Sequence, residues 1–115
     1  MIETKDLGLD EYQALAARTI SCKSIVDMLY HSLHGMSGEI GEIHSLFQKE
    51  YQGHPIEKEH LKKELGDLMW FIAEFCTSMS WNMSEVGSLN IEKLKARYPD
   101  GFEVERSLHR AEGDV

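Results

Sequence analysis

The sequence predicts an all-α protein, a bundle of four helices, and three observations support that prediction. Two long segments carry apolar residues at alternating steps of three and four, which is the spacing of one helical face. No segment alternates apolar and polar residues as a half-buried strand would. Both prolines fall at the ends of helical segments. With 115 residues the chain has the size of one domain, so residues 1–115 are expected to form a single unit.

The four helices are delimited by apolar periodicity and by residues that break helices. Gly53 and Pro55 separate the second helix from the third, because both disfavour a helix interior. Pro99 and Gly101 end the fourth helix in the same way. The predicted helices cover residues 9–20, 24–51, 56–80 and 84–97.

The second and third helices each carry a stripe of six apolar residues spaced by 4, 3, 4, 3 and 4. This heptad-like spacing suits two helices that pack at a shallow angle. Folding them back antiparallel with the stripe ends matched sets a register from apolar residues alone. The stripes are Leu29, Leu33, Met36, Ile40, Ile43 and Phe47, and Leu61, Leu65, Leu68, Ile72, Phe75 and Met79.

Two pairs of carboxylates lie beside these stripes, in GEIGEI and KELGDL. Each acid directly precedes a stripe residue, so the apolar register brings Glu39 level with Asp67 and Glu42 level with Glu64. Four unpaired carboxylates at one level would repel one another, and a divalent cation would relieve that repulsion. Oxygen-only ligands suit Mg²⁺ or Mn²⁺ better than zinc.

The alternative for each pair is an exposed helix face without function. Three glycines beside the acids argue against it, because glycine in a helix costs about 1 kcal/mol relative to alanine. They suggest close approach of another helix or of a ligand, although packing alone would also explain them. These glycines are Gly38, Gly41 and Gly66.

Charge and composition narrow the possible partners. There are 20 acidic and 12 basic residues, giving a net charge of −8, which argues against a nucleic-acid-binding surface. Cys22 and Cys76 form no closely spaced framework and are interpreted as free thiols of a reducing cytoplasm. The N-terminal residues are too polar for a signal peptide, and no apolar run is long enough for a membrane span. A cytoplasmic protein without membrane partners is therefore expected.

GEIGEI followed by ELGDLMW resembles the E-x-x-E…E-x-x-D signature of MazG-like nucleotide pyrophosphohydrolases, the all-α NTP pyrophosphatase superfamily. EYQALAART is similar to the first helix of that family, and NIEKLKARYPDGF to its C-terminal segment. The resemblance covers residues 10–107 approximately. The two-part acid motif in this context is specific, whereas either half alone would be weak.

The resemblance implies Mg²⁺-dependent hydrolysis of a (deoxy)nucleoside triphosphate to the monophosphate and pyrophosphate. It implies that Glu39, Glu42, Glu64 and Asp67 are catalytic residues and Mg²⁺ ligands, with Mn²⁺ as a possible substitute. One of the first pair, Glu42 for example, would orient or deprotonate the attacking water. The resemblance also implies a MazG-like bundle completed by dimerisation, as a homodimer or homotetramer in which two subunits build each site.

The fourth helix offers candidate phosphate contacts. Asn90, Lys93 and Arg97 share one face and supply an amide, an ammonium and a guanidinium, which are donors for phosphate oxygens. The resemblance points to Asn90 and Lys93 as polyphosphate contacts, with Arg97 and Tyr98 as further candidates. A solvated helix face is the alternative.

Aromatic side chains are candidates for base recognition. Trp70 follows Asp67 by three residues and could stack on a base, although a core or dimer-interface position is the more common role for such a tryptophan. Tyr12, His31 and His34 are further candidates for lining the nucleotide pocket, and the alternative for each histidine is a structural role.

Three alternative hypotheses for the function are considered beside this one. A dimeric dUTPase or a phosphoribosyl-ATP pyrophosphohydrolase of the same superfamily would share the acids and differ in the nucleoside pocket. A di-iron carboxylate protein would need two ExxH motifs, and Glu57–His60 has no second copy. A non-enzymatic helical adaptor would use the acids only as a solvated surface.

Overall fold

The structure is a computed structural model that describes residues 6–110 and residue 114. Within these residues it is all-helical, as expected, with one short helix beyond the four predicted. No helix in the described part of the chain has the length and apolar character needed to cross a membrane. The helices are α1 (Leu9–Ala17), α2 (Ile25–Tyr51), α3 (Lys58–Ser78), α4 (Met83–Arg97) and α5 (Val104–Leu108).

The predicted helix ends were wrong by up to three residues, for local reasons. α1 stops at Ala17 rather than residue 20, because the next residues form a turn in which the Thr19 hydroxyl donates to the carbonyl of Ala16 at 2.9 Å. α3 begins at Lys58 rather than residue 56, and its N-cap Glu57 has extended backbone angles. The short helix α5 was not predicted, since five residues are too few to show a period.

α2 and α3 form an antiparallel hairpin, the main packing unit of the chain. The hydroxyl of Ser24 caps α2 by accepting from the backbone N–H of Asp27 at 3.1 Å. The turn after α2 depends on Gly53, whose φ of 100° lies in a region that favours glycine. There the backbone N–H of His54 donates to the carbonyl of Lys49 at 2.9 Å, which satisfies one of the last carbonyls of the helix.

α2 and α3 come close together at Gly35, where a Cβ atom would overlap the ring of Phe71. The expectation that the three glycines beside the acids mark a close helix contact was wrong within this chain. A Cβ at any of them would meet no atom within 4 Å, so neither helix packs directly against these glycines. The glycines concerned are Gly38, Gly41 and Gly66.

α1 lies against α3 and holds the start of α4 through two polar side chains. The buried Gln13 accepts from the backbone N–H of Met83 at 2.7 Å and donates to the carbonyl of Trp81 at 2.8 Å. Asp10 accepts from the backbone N–H and the hydroxyl of Ser84 at 2.9 and 2.6 Å. Both residues satisfy N–H groups in the first turn of α4, which have no partner within the helix.

The chain by itself has a very small core. Among the described residues, the buried apolar side chains are those of Ala73, Cys76 and Met83. The radius of gyration is 17.4 Å, whereas a compact domain of this length would have about 13 Å. Much of the apolar surface that the sequence supplies is therefore still open to solvent.

The apolar stripes split into two faces, which the sequence prediction of a single seam did not anticipate. Alternate members turn toward the partner helix and are partly buried, while the others face outward. The outward members are about half exposed, with 47 % for Leu33 and 49 % for Phe47. The split arises because the helix surfaces that meet also carry polar groups, including Ser32, Glu39 and Glu74. The outward members are Leu33, Ile40, Phe47, Leu65, Ile72 and Met79.

Candidate functional site

The hairpin brings acids from both helices together, in the register that the apolar stripes predict. Glu39 of α2 and Glu64 and Asp67 of α3 each place a carboxylate oxygen within 4.8 Å of the other two. Glu39 and Glu64 are partly buried and Asp67 is exposed. We call these three residues and Glu42 the acid cluster.

Glu42 lies at the edge of this group, beside Glu64. The two residues help to line a pocket of about 180 Å³. The pocket therefore opens directly onto carboxylates from both helices. Its other lining residues are Ser45, Leu46, Lys49 and His60.

The carboxylates perturb one another strongly. Burial, followed by a hydrogen bond to Glu64 and the charges of Glu42, Glu64 and Asp67, raises the pKa of Glu39 to about 7. The pKa of Glu42 is also raised, first by its hydrogen bond to Glu64. The pKa of Glu64 is lowered, first because it accepts from Glu42 and Glu39. The acids therefore share protons when no cation is bound.

Two oxygens of the cluster lack a partner, which bears on whether a cation fits there. Oε2 of Glu39 and Oε2 of Glu64 are buried without any hydrogen bond. A buried carboxylate oxygen without a partner is costly and rare in a folded protein. A hard divalent cation would satisfy both oxygens, and its preference for oxygen ligands matches this donor set. The residues present thus fit a Mg²⁺ or Mn²⁺ ion.

Two side chains at the site, His60 and Lys49, were not predicted from the sequence. His60 Nε2 lies 3.3 Å from Oε1 of Glu64 and contributes to lowering the pKa of that carboxyl. Lys49 lines the pocket on the other helix. The available signal was that His60 precedes Glu64 by four residues, but such pairs are common on exposed helix faces.

Tyr12 of α1 also lies near the acid cluster. Burial, and then the charge of Asp67, raises the pKa of its hydroxyl. The tyrosine packs against the small apolar core. α1 therefore brings a tyrosine hydroxyl near enough to Asp67 to feel its charge.

Trp70 and His31 were candidates for lining a nucleotide pocket, and the structure gives both of them partners within the chain. The indole N–H of Trp70 donates to the hydroxyl of Thr19 at 2.8 Å. His31 Nδ1 lies 2.7 Å from Oε1 of Glu74. The two rings meet edge to face with centroids 6.0 Å apart. His31 precedes Glu39 by eight residues, or about 12 Å along α2, so the pair lies beside the acid cluster and not in it.

The α4 candidates do not join the acid cluster within one chain, because α4 packs mainly against α1. Asn90 lines an open groove with Leu9 of α1, and no acid of the cluster borders that groove. Arg97 already has a partner, since its guanidinium forms two hydrogen bonds of 2.8 Å to the carboxylate of Asp114. This pairing lowers the pKa of Asp114. The charge of Lys93 also lowers that pKa, but more weakly.

Tyr98, the last of these candidates, forms the C-cap of α4. Its ring lies 5.1 Å from that of Phe102, measured between centroids, in a tilted arrangement. The guanidinium carbon of Arg97 is 5.8 Å from the centroid of the Tyr98 ring. The aromatic ring thus has neighbours within its own C-terminal segment.

Comparison with known proteins places the chain in a family. The model of the MazG nucleotide pyrophosphohydrolase domain matches residues 30–102, which include the whole acid cluster. The Gene 37 protein of Mycobacterium phage L5 is 30 % identical over 106 residues, a match that covers 83 % of this chain and 92 % of that protein. No solved structure shows a significant match. Because the family model spans more than half of the sequence, this chain belongs to the MazG nucleotide pyrophosphohydrolase family.

Proposed function

We propose that the protein hydrolyses a (deoxy)nucleoside triphosphate to the monophosphate and pyrophosphate, with Mg²⁺ held by the acid cluster. The observation that carries this proposal is the meeting of Glu39, Glu64 and Asp67 within 4.8 Å, with two partnerless buried oxygens among them. Membership of a pyrophosphohydrolase family supports the same reaction class.

The proposed Mg²⁺ ligands differ in how deeply their carboxylate oxygens are buried. Glu39 and Glu64 hold the buried oxygens, and Asp67 approaches the same point from the exposed side. A Mg²⁺ ion bound there would neutralise polyphosphate charge and polarise the P–O bond that breaks. Without a cation, the net charge of −8 would disfavour a polyanionic substrate.

Glu42 is the carboxylate best placed to accept a proton from the attacking water. It is exposed and borders the pocket, whereas the other three acids form the tighter group. Water adds to phosphorus, the bond between the α and β phosphates breaks, and pyrophosphate leaves. His60 holds Glu64 in place from one turn away, and the Lys49 ammonium offers a donor to phosphate oxygens.

We further propose that a second copy of the chain completes the site. The outward apolar faces of α2 and α3 and the small core of the single chain support dimerisation. α4 of the second copy would bring Asn90 and Lys93 to the triphosphate, since α4 of the same chain packs elsewhere. A homodimer or a homotetramer would satisfy this arrangement.

Substitution within the acid cluster tests the proposed roles. We expect Glu42→Gln and Asp67→Asn each to lower kcat for pyrophosphate release by at least about a hundredfold, because general-base or electrostatic contributions of this size are typical. Circular dichroism should show an intact fold in both variants. Glu50→Gln is the matched control, since Glu50 is an exposed acid of the same helix that does not line the pocket. Near-full activity of Glu42→Gln or Asp67→Asn would contradict the assignment.

A further inference from the structure

A second group of metal-ligand side chains lies two helical turns from the acid cluster. It consists of Cys22 in the loop between α1 and α2, His31 of α2 and Glu74 of α3. One ligand atom from each residue lies within 4.8 Å of the other two. The three residues come from three separate segments, so the tertiary fold and not local spacing brings them together.

Glu74 is the most unusual member, because its side chain has no exposed surface. A carboxylate in the interior needs a compensating partner. Among residues 6–110 and 114, no Lys or Arg forms an ion pair with it. Its polar neighbours are His31, whose Nδ1 lies 2.7 and 3.0 Å from the two carboxylate oxygens, and the thiol of Cys22.

We propose that Cys22, His31 and Glu74 form a binding site for a zinc-like transition-metal ion. A thiolate, an imidazole and a carboxylate are the three protein ligand types that zinc uses. Three protein ligands leave a fourth tetrahedral position for water, and the half-exposed His31 opens the site to solvent on one side. The acid cluster offers only oxygen, so the two sites select different metals.

The geometry needs only small adjustments. Zinc bonds of about 2.0–2.3 Å in a tetrahedron place ligand atoms about 3.3–3.6 Å apart. His31 and Glu74 are now closer than this, at 2.7 Å, and the thiol lies within 4.8 Å of both. An ion therefore replaces the hydrogen bond between His31 and Glu74 and draws the thiol inward. The thiol releases its proton to solvent when it binds the metal.

The site would fasten the loop between α1 and α2 to α3. That loop already contacts α3 where Thr19 accepts from Trp70, and a metal at Cys22 adds a second attachment three residues further along. The proposal is independent of nucleotide hydrolysis, because it concerns different residues and a different class of metal.

Cobalt(II) in place of zinc gives a direct test, since a cobalt–thiolate bond produces a near-ultraviolet charge-transfer band and tetrahedral cobalt a strong visible spectrum. Titration of the reduced full-length protein with Co²⁺ should produce both features, and Zn²⁺ should abolish them. Cys22→Ser should lose the thiolate band and bind Zn²⁺ more than about tenfold more weakly in competition with a chelating dye. Glu74→Gln should also weaken Zn²⁺ binding if its circular dichroism shows a native fold.

Two control variants separate this site from the rest of the chain. Cys76→Ala removes the other thiol, and Glu39→Gln removes an acid-cluster ligand, so both should retain the thiolate band. Absence of the band in the wild-type protein would overturn the proposal. An undiminished band in Cys22→Ser would do the same, as would its loss in Cys76→Ala alone.

Discussion

At the residue scale, the acid cluster is a group of like charges whose repulsion is only partly relieved by shared protons. The pKa of Glu39 stands near 7 because burial and three neighbouring carboxylates disfavour its charge. The same arrangement makes the partnerless oxygens of Glu39 and Glu64 suited to a cation. A cluster of this kind destabilises the metal-free chain and favours the metal-bound one.

The raised pKa of Glu39 predicts that the stability of the metal-free protein, measured in EDTA, has an unusual dependence on pH. Between the ordinary carboxyl pKa of 4.5 and about 7, the folded chain holds a proton on Glu39 that the unfolded chain has lost. Stability should therefore fall as pH rises through that window, and Mg²⁺ should restore it near pH 8. Melting temperatures from pH 5 to 8, with EDTA or with Mg²⁺, would measure both effects.

Glu39→Gln is the informative variant for this prediction. Its melting temperature in EDTA should fall less with pH than that of the wild type, and Mg²⁺ should raise it less. Glu50→Gln, outside the cluster, should retain the wild-type profile. If Glu39→Gln kept the wild-type slope, the raised pKa of Glu39 could not be its cause.

The meeting of Glu39, Glu64 and Asp67 could be predicted from the sequence because a stripe of apolar residues sets the helix register, and the acids keep a constant offset from it. It failed for the group around Glu74, because that residue sits in an apolar run without a motif and Cys22 lies in a loop. His60 was missed because a histidine four residues before a glutamate is indistinguishable from a surface pair. Side chains joined by tertiary contact leave no periodic signal.

At the scale of elements, the hairpin of α2 and α3 holds the site, and the two helices pack closely where the ring of Phe71 lies against Gly35. The helix ends were less predictable than the helices, because side-chain hydrogen bonds such as that of Thr19 decide where a helix stops. The partition of each apolar stripe into inner and outer faces was not predictable from spacing alone. It depends on which polar residues share the inner face.

Two glycine substitutions in α2 should affect the free energy of unfolding differently. Gly35→Ala places a methyl group against the ring of Phe71, which is packed between the rings of His31 and Trp70. We expect a net destabilisation of about 1–2 kcal/mol, since overpacking outweighs the gain in helix propensity. Gly38→Ala meets open space within the chain and should be neutral or stabilising. Urea unfolding would measure both, and a stabilised Gly35→Ala would show that the contact is loose.

At the scale of the whole molecule, the single chain leaves many large apolar side chains exposed, which supports the proposed assembly with a second copy. The outer stripes of α2 and α3 are continuous faces, and α4 carries its candidate phosphate contacts away from the acid cluster. Both features follow if each site is built from the acids of one chain and α4 of another. Sedimentation should then give at least a dimer.

Mixing two impaired variants, at a substrate concentration where each alone has little activity, tests this shared site. If chains exchange, a heterodimer of Glu42→Gln and Lys93→Ala contains one site with both defects and one site with neither. Refolding an equal mixture should therefore restore about a quarter of wild-type activity, since half of the dimers are mixed and each has one intact site. Activity no higher than the mean of the two separate variants would contradict the shared site. It would mean either that Glu42 and Lys93 of one chain serve the same site, or that the two residues serve no common site.

The central claim, that the acid cluster holds Mg²⁺ for cleavage of a nucleoside triphosphate, is tested most directly by pyrophosphate release from a panel of ribo- and deoxyribonucleoside triphosphates. The account predicts release of pyrophosphate and monophosphate in equal amounts from at least one of them, with Mg²⁺ present and not in EDTA. Wild-type protein that is folded and oligomeric, yet releases no pyrophosphate from any member of the panel with Mg²⁺ or Mn²⁺, would contradict it.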